Sequence, residues 1–256
     1  MKTITRKIIL ALLIPAVIVI AWASVTTSGK IPSGILPSLP SVGKAFETMI
    51  GTGQLQGDLL ISLSRVIKGY LLSALLGVVI GSLIGMSRTI KELLLPMITV
   101  IRQIPMIAWI PLIILWGGIG EESKVVIIVL AAFFPILVNA ESGIAQTPEN
   151  FLEVARLYKL GWWKTFSKVY LPHAIPQILV GLKLGLGVSW MAVVASELIA
   201  ATSGIGYRMS NARSLMRPDV VIVCMLVIGV VGILMDKAIG IVFELFTPWV
   251  EKKRRD

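Results

Sequence analysis

Glu153-Val-Ala-Arg-Leu-Tyr-Lys-Leu-Gly161, followed by Val169-Tyr-Leu171-Pro172, reads as a short amphipathic helix and its exit turn, set inside a chain that is otherwise strongly apolar. Thr147 is suited to cap the helix, Pro148 to occupy its first position, and Glu149 to place negative charge in the first turn. The spacing predicts a helix over 148–160. Phe151, Leu152, Ala155, Leu157 and Tyr158 form its apolar side, and Glu153, Arg156 and Lys159 its charged side. One side suits packing on a membrane body, and the other suits a cytoplasmic partner.

Around this segment the composition is that of a chain dissolved in lipid. Of 256 residues, 56% are hydrophobic and only 15% charged, and the mean hydropathy is +0.89. That is well beyond ordinary globular usage. The net charge of +10 gathers where apolar runs end, as topology signals do, and no stacking or groove-reading motif accompanies it. Nucleic acid is therefore not an expected partner. The single cysteine, Cys224, excludes an intrachain disulfide.

Windows of about 20 apolar residues fall at 8–25, 66–86, 93–116, 125–140, 178–200 and 220–243, predicting six spans in one transmembrane unit covering 1–256. The N-terminal span is 8–25 and the core spans run over about 59–246. The basic residues Lys2, Arg6 and Lys7 at one terminus and Lys252, Lys253, Arg254 and Arg255 at the other both belong inside, which requires an even number of crossings. The first span resembles a signal peptide near Ala21-Trp22-Ala23, but cleavage would leave an odd number of crossings. In the second span Ser73, Gly77, Gly81 and Gly85 line one helix face for close packing. Pro96, Pro105 and Pro111 break the third, and irregular backbone at that depth is tolerated only within protein or beside a water-filled path.

Glu153-Val-Ala, Gly161 and Leu171-Pro172 resemble the cytoplasmic "EAA" signature of permease subunits of ABC-type importers. Val154 stands for the usual second alanine, Lys159 occupies the usual glycine position, and Gly161 lies two residues later. Further segments resemble the branch of that family handling nitrate, sulfonate, taurine or bicarbonate. They are Leu36-Pro37-Ser38, Ser64-Arg65-Val66 with Gly69, Arg102-Gln-Ile-Pro105-Met-Ile-Ala108-Trp-Ile-Pro111-Leu112, Trp116-Gly117, Glu122-Ser-Lys124, and Ser203-Gly-Ile-Gly206-Tyr207 with Asn211-Ala-Arg213.

The resemblance implies an all-α, type I importer fold with a cytoplasmic coupling helix, residing in a bacterial inner membrane with both termini cytoplasmic. Two permease copies would meet two ATPase subunits, and an external solute-binding protein would deliver the solute. ATP and Mg would be bound by the ATPase, and the permease itself would hold no cofactor, metal or catalytic residue. Carried over, Glu153, Ala155, Arg156, Gly161, Leu171 and Pro172 belong to the ATPase-docking segment. The absence of a Gly-x-x-x-x-Gly-Lys-Ser/Thr phosphate loop agrees. From spacing alone, Glu153 pairing with Arg156 or Lys159 on a solvated face is the alternative.

Charges in or near the spans are costly and mark candidate path residues: Arg102 with its neighbour Gln103, Lys183, Glu197, and Trp190 as a wall. Lys183 also suits snorkelling, and Glu197 suits pairing with Arg208, Arg213 or Lys124. Asp236 and Lys237 read as juxtamembrane charges. Arg208, Arg213 and Arg217 fall in an external loop where positive charge is scarce, which suits anion capture, delivery-protein docking, lipid contact or local carboxylate pairing. His173 stands alone and does not suggest a metal site. The rival functions are an ion-coupled secondary transporter or channel, which would need repeated halves or coupling carboxylates, and a membrane enzyme, which would need a clustered catalytic set.

Overall fold

The computed structural model describes residues 2–246, and among them the regular structure is helical throughout. The helices are α1 (Lys2–Thr27), α2 (Leu39–Gly51), α3 (Gln54–Met86), α4 (Arg88–Arg102), α5 (Met106–Gly117), α6 (Glu121–Ala145), α7 (Glu149–Leu157), α8 (Trp162–Thr165), α9 (Leu171–Ala200), α10 (Ile205–Ser214) and α11 (Pro218–Phe246), with a π-helical turn at Phe166–Tyr170 joining α8 to α9. The C-terminal cluster Lys252, Lys253, Arg254 and Arg255 lies outside the described residues, as do the side chains of Lys2, Arg6 and Lys7.

Among the described residues, four helical stretches are long and apolar enough to cross a bilayer: Gln54–Met86, Glu121–Ala145, Trp162–Ala200 and Pro218–Glu244. α6 lies between α3 and α9, and small residues set both contacts. Ser73, Gly77, Gly81 and Gly85 face α6 so closely that a Cβ on Gly81 would stand 2.5 Å from the Leu137 carbonyl oxygen. From the other side Gly181 and Gly185 of α9 meet Asn139 and Ile136. With lipid as apolar as leucine, such backbone approach supplies the packing that water would otherwise drive. α11 closes the bundle against α2, α9 and α10 around Trp190, Val193, Ile205, Val223 and Cys224.

The expected second span begins earlier than its apolar run, because α3 starts at Gln54 and carries Asp58, Ser62 and Arg65 inward. Those polar residues escape a hydropathy window, since a helix continues wherever its polar groups find partners. The expected third span is not one rod. α4 and α5 meet at 96°, with Pro105 extended at φ −54°, ψ 133°, since Pro105 cannot donate its N–H and disfavours the helical region for the residue before it. The 12 residues of α5 reach only about 18 Å, against about 30 Å of hydrocarbon. Lys91, near the start of α4, pairs with Glu141 at 2.8 Å, while Arg102 at its end borders a cavity with Asn139. α4 thus keeps a charged tie to α6 near its start and borders the cavity at its end, while none of its residues is buried.

The expected helix over 148–160 is shorter, spanning Glu149–Leu157. Pro148 is extended (φ −60°, ψ 136°) and takes the capping position assigned to Thr147; the Thr147 hydroxyl is buried with no hydrogen-bond partner among the described residues. At the other end Leu160 N–H donates to Ala155 O at 3.0 Å and Lys159 N–H to Arg156 O at 2.9 Å. This is the paired closure that places a left-handed residue just past a helix. That residue is Lys159, at φ +48°, the position to which the resemblance assigns glycine. Gly161, at φ −66°, has no such duty.

Candidate functional site

Three places along the bundle hold the residues singled out above. The first is the end where α3 begins and α9 finishes. Asp58, Ser62 and Arg65 follow one another on one face of α3 and turn toward Glu197, near the end of α9. Arg65 uses all five of its guanidinium N–H groups. Nε donates to Glu121 Oε2 at 2.7 Å. Nη1 donates to Glu197 Oε1 at 2.6 Å and Ser203 O at 2.8 Å. Nη2 donates to Glu121 Oε1 and to Ser203 Oγ at 3.0 Å. Glu197 is 1% exposed and its second oxygen accepts from Gly206 N–H at 2.9 Å. The Ser62 hydroxyl lies 2.8 and 2.9 Å from the two carboxylate oxygens and accepts from Ile205 N–H at 3.0 Å.

Asp58 completes this network, accepting from Gly204 N–H at 3.1 Å and Arg208 Nε at 2.7 Å. Lys124 stands 3.7 Å from Glu121. Three cations, Arg65, Lys124 and Arg208, thus oppose three carboxylates, Asp58, Glu121 and Glu197. A buried charge is tolerable only with partners of this kind. Gly204 sits at φ +105°, and a Cβ there would land on the Glu197 carboxylate, so only glycine lets the chain pass over it.

Several expectations change here. Glu197 pairs with Arg65, not with Arg208, Arg213 or Lys124, and it is sealed within the network instead of facing a path. Arg208 is held by Asp58, and Arg217 pairs with Asp219 at 2.9 Å. Arg213 is exposed. Sequence reasoning quoted Arg65 only as part of a resemblance and overlooked Asp58, Ser62 and Glu121. The spacing of Asp58, Ser62 and Arg65, four and then three residues apart, was the available signal for a polar helix face.

The second place is the break between α4 and α5. A cavity of about 390 Å³ opens there, lined by Arg102, Pro105, Met106, Trp109, Phe134 and Asn139 among others. Gln103, the residue following α4, is exposed and does not line it. Trp190, expected as a wall, is instead buried in the α9–α11 contact and donates from Nε1 to Ile228 O at 3.0 Å; Trp109 takes the place at the cavity. Lys183 pairs with Asp236 of α11 at 3.1 Å, replacing both the snorkelling and the separate juxtamembrane readings.

The third place is the segment from α7 to α9, at the opposite end from the Arg65 network. Ala155 is buried, but the predicted apolar side does not pack on the bundle. Phe151 is 49%, Leu157 80% and Tyr158 77% exposed. A nine-residue helix resting on one alanine has too little surface to cover them. Glu153 is exposed and makes no ion pair among the described residues, while Arg156 pairs with Glu149 at 3.0 Å. Leu171 and Pro172 begin α9 directly after the π-helical turn. His173 is exposed, and no group of three or more metal-ligating side chains occurs among the described residues.

Comparison with known proteins converges on one family. Residues 73–255 match the family described as binding-protein-dependent transport system inner membrane component. A Bacillus subtilis permease protein named for aliphatic sulfonates transport is 37% identical over 238 residues, covering 93% of this chain and 86% of its own. A nitrate import permease protein of Synechocystis is 31% identical over 244 residues, covering 93% and 88%. A crystal structure of an amino acid ABC transporter shares the fold with a TM-score of 0.60 at 20% identity, covering 78% of this chain and 96% of that one.

Proposed function

This chain belongs to the inner membrane component family of binding-protein-dependent transport systems, and on that premise we propose that it is the permease of an ATP-driven importer for a small anionic solute. The candidate solutes are aliphatic sulfonates or taurine, with nitrate or bicarbonate as the other members of the set. Two copies of the chain form the path, two cytoplasmic ATPase subunits bind ATP and Mg, and an external solute-binding protein delivers the solute. The α7 end faces the cytoplasm in this reading, and the Arg65 network faces outward.

The carrying observation is the unpartnered α7 surface. Phe151, Val154, Leu157 and Tyr158 stand exposed around Glu153 at one end of the bundle, in a sequence without a phosphate-loop motif. An apolar patch rimmed by charge marks a protein contact. ATP binding draws the two α7 segments together, and each α7 transmits that movement through the π-helical turn to α9. Because α9 packs on α6, the movement reaches the α4–α5 break, where Arg102 borders the path. Lys183 is paired with Asp236 of α11 and does not line that cavity.

The test is reconstitution of the chain with its ATPase and solute-binding protein in liposomes. ATP-dependent accumulation of an anion is expected. Uptake that continues without ATP, driven by an ion gradient, would make this a secondary transporter instead.

A further inference from the structure

We infer that the cavity at the α4–α5 break is a solute subsite within the permease, fitted to an organic oxyanion with a short apolar tail in preference to a bare inorganic anion. The inference rests on the importer reading, which places Arg102 on the path, and adds what the cavity around it selects. Arg65, Lys124, Lys183 and Arg208 each have a carboxylate in ion-pair range. Arg102 lines the cavity with none among the described residues.

The other polar side chain at the cavity, Asn139, is oriented by its neighbours. Its Oδ1 accepts from Gln177 Nε2 at 2.8 Å, and its Nδ2 donates to Pro135 O at 2.8 Å. The amide oxygen, which would repel an anion, is thus turned to Gln177, and the second Nδ2 hydrogen remains to donate. Gln177 acts as a positioning residue for this amide. The guanidinium and the amide N–H thus supply donors, the arrangement that suits an oxyanion. The start of α5 lies at the same cavity, at Pro105 and Met106, and adds the positive end of a helix dipole to them.

The rest of the wall has a different chemistry. Ile104, Met106, Trp109, Leu130, Phe134 and Leu184 line it with apolar surface. Nitrate or bicarbonate would engage the donors and leave this wall against water. An alkyl group on the same anion would cover it, strengthening binding about fourfold for each buried methylene. Discrimination between alkylated and bare anions is thereby built into the permease, in addition to whatever a delivery protein contributes.

The test uses the full chain in lipid nanodiscs without ATPase, so that its outcome is separate from that of the importer reading. Hexane-1-sulfonate and nitrate are titrated by calorimetry, with protein-free nanodiscs subtracted to remove partition into lipid. Hexane-1-sulfonate is expected to bind at least tenfold more tightly than nitrate. Arg102→Gln should abolish binding of both, and Arg102→Lys should retain part of it. Trp109→Ala should narrow the preference while leaving nitrate binding in place. Equal affinity for the two anions, or hexane-1-sulfonate binding unchanged by Arg102→Gln, would overturn the assignment. Heat no larger than that of protein-free nanodiscs would do the same.

Discussion

At one end of the bundle Arg65, Glu197, Asp58 and their neighbours bury charge and leave almost none of its hydrogen-bonding capacity unused. At the other, α7 holds Phe151, Val154, Leu157 and Tyr158 in the open over a single buried alanine. The difference separates two tasks. A network that joins α3, α6 and α9 through one arginine, and α10 through Ser62, Asp58 and Glu197, makes its end of the bundle a fixed corner. A short helix with an uncovered apolar face is an end that another molecule completes. A transporter needs both, since a push delivered at one end becomes a change in the path only if the other end is anchored.

The strongest way to break this comparison is Arg65→Gln, which leaves Glu197 buried without its cation. Truncating one partner of a buried pair costs about 3–5 kcal/mol, so the purified protein should lose its monodisperse peak on heating well before the wild type. If Arg65→Gln and wild type lose it together, the fixed corner is not what stabilises that end. Gly204→Ala is next. The added methyl meets the Glu197 carboxylate at a strained φ, and about 1–3 kcal/mol of destabilisation is expected in the same assay.

Glu153→Lys should behave in the opposite way, with unchanged thermal stability and at least tenfold weaker recovery of the ATPase, about 1.4 kcal/mol. Normal recovery and normal uptake would remove α7 from the docking role. Replacing both Arg213 and Arg217 with Gln should slow association of the solute-binding protein several-fold at low salt and little at high salt, because exposed steering is screened beyond about 8 Å at physiological ionic strength. An equal effect at every salt concentration would point to direct contact instead of steering. The smallest effect belongs to Lys159→Gly, which relieves a left-handed lysine at φ +48°. It should stabilise the chain by at most about 1 kcal/mol, seen as a slight rise in melting temperature with ATPase recovery unchanged; a fall would show that the lysine side chain contributes more than its backbone costs.

The reach of sequence reasoning differed between these two ends. Around α7 the relevant signals are local. Pro148, Glu149 and the apolar spacing place the helix within a few residues of its position, and the left-handed turn falls at Lys159, the position the resemblance gives to glycine. What remained hidden was which face is covered, because that depends on how much of the bundle lies within reach of nine residues. At the Arg65 end the partners stand 56 and 132 positions apart. No spacing rule connects such residues, and the apolar window even placed Arg65 outside its span.

Composition, period and charge placement determined by themselves that this chain is a helical membrane protein with a short amphipathic helix between its spans and a proline-broken segment, because those properties depend on neighbours within a few turns. Tertiary structure alone decided that α4 and α5 meet at 96°, that Trp109 and not Trp190 shares a cavity with Arg102, and that Glu197 answers Arg65. These outcomes follow from helices brought together by small residues far apart in the chain, and the free energy of a buried charge or an opened backbone is settled only when its partners arrive.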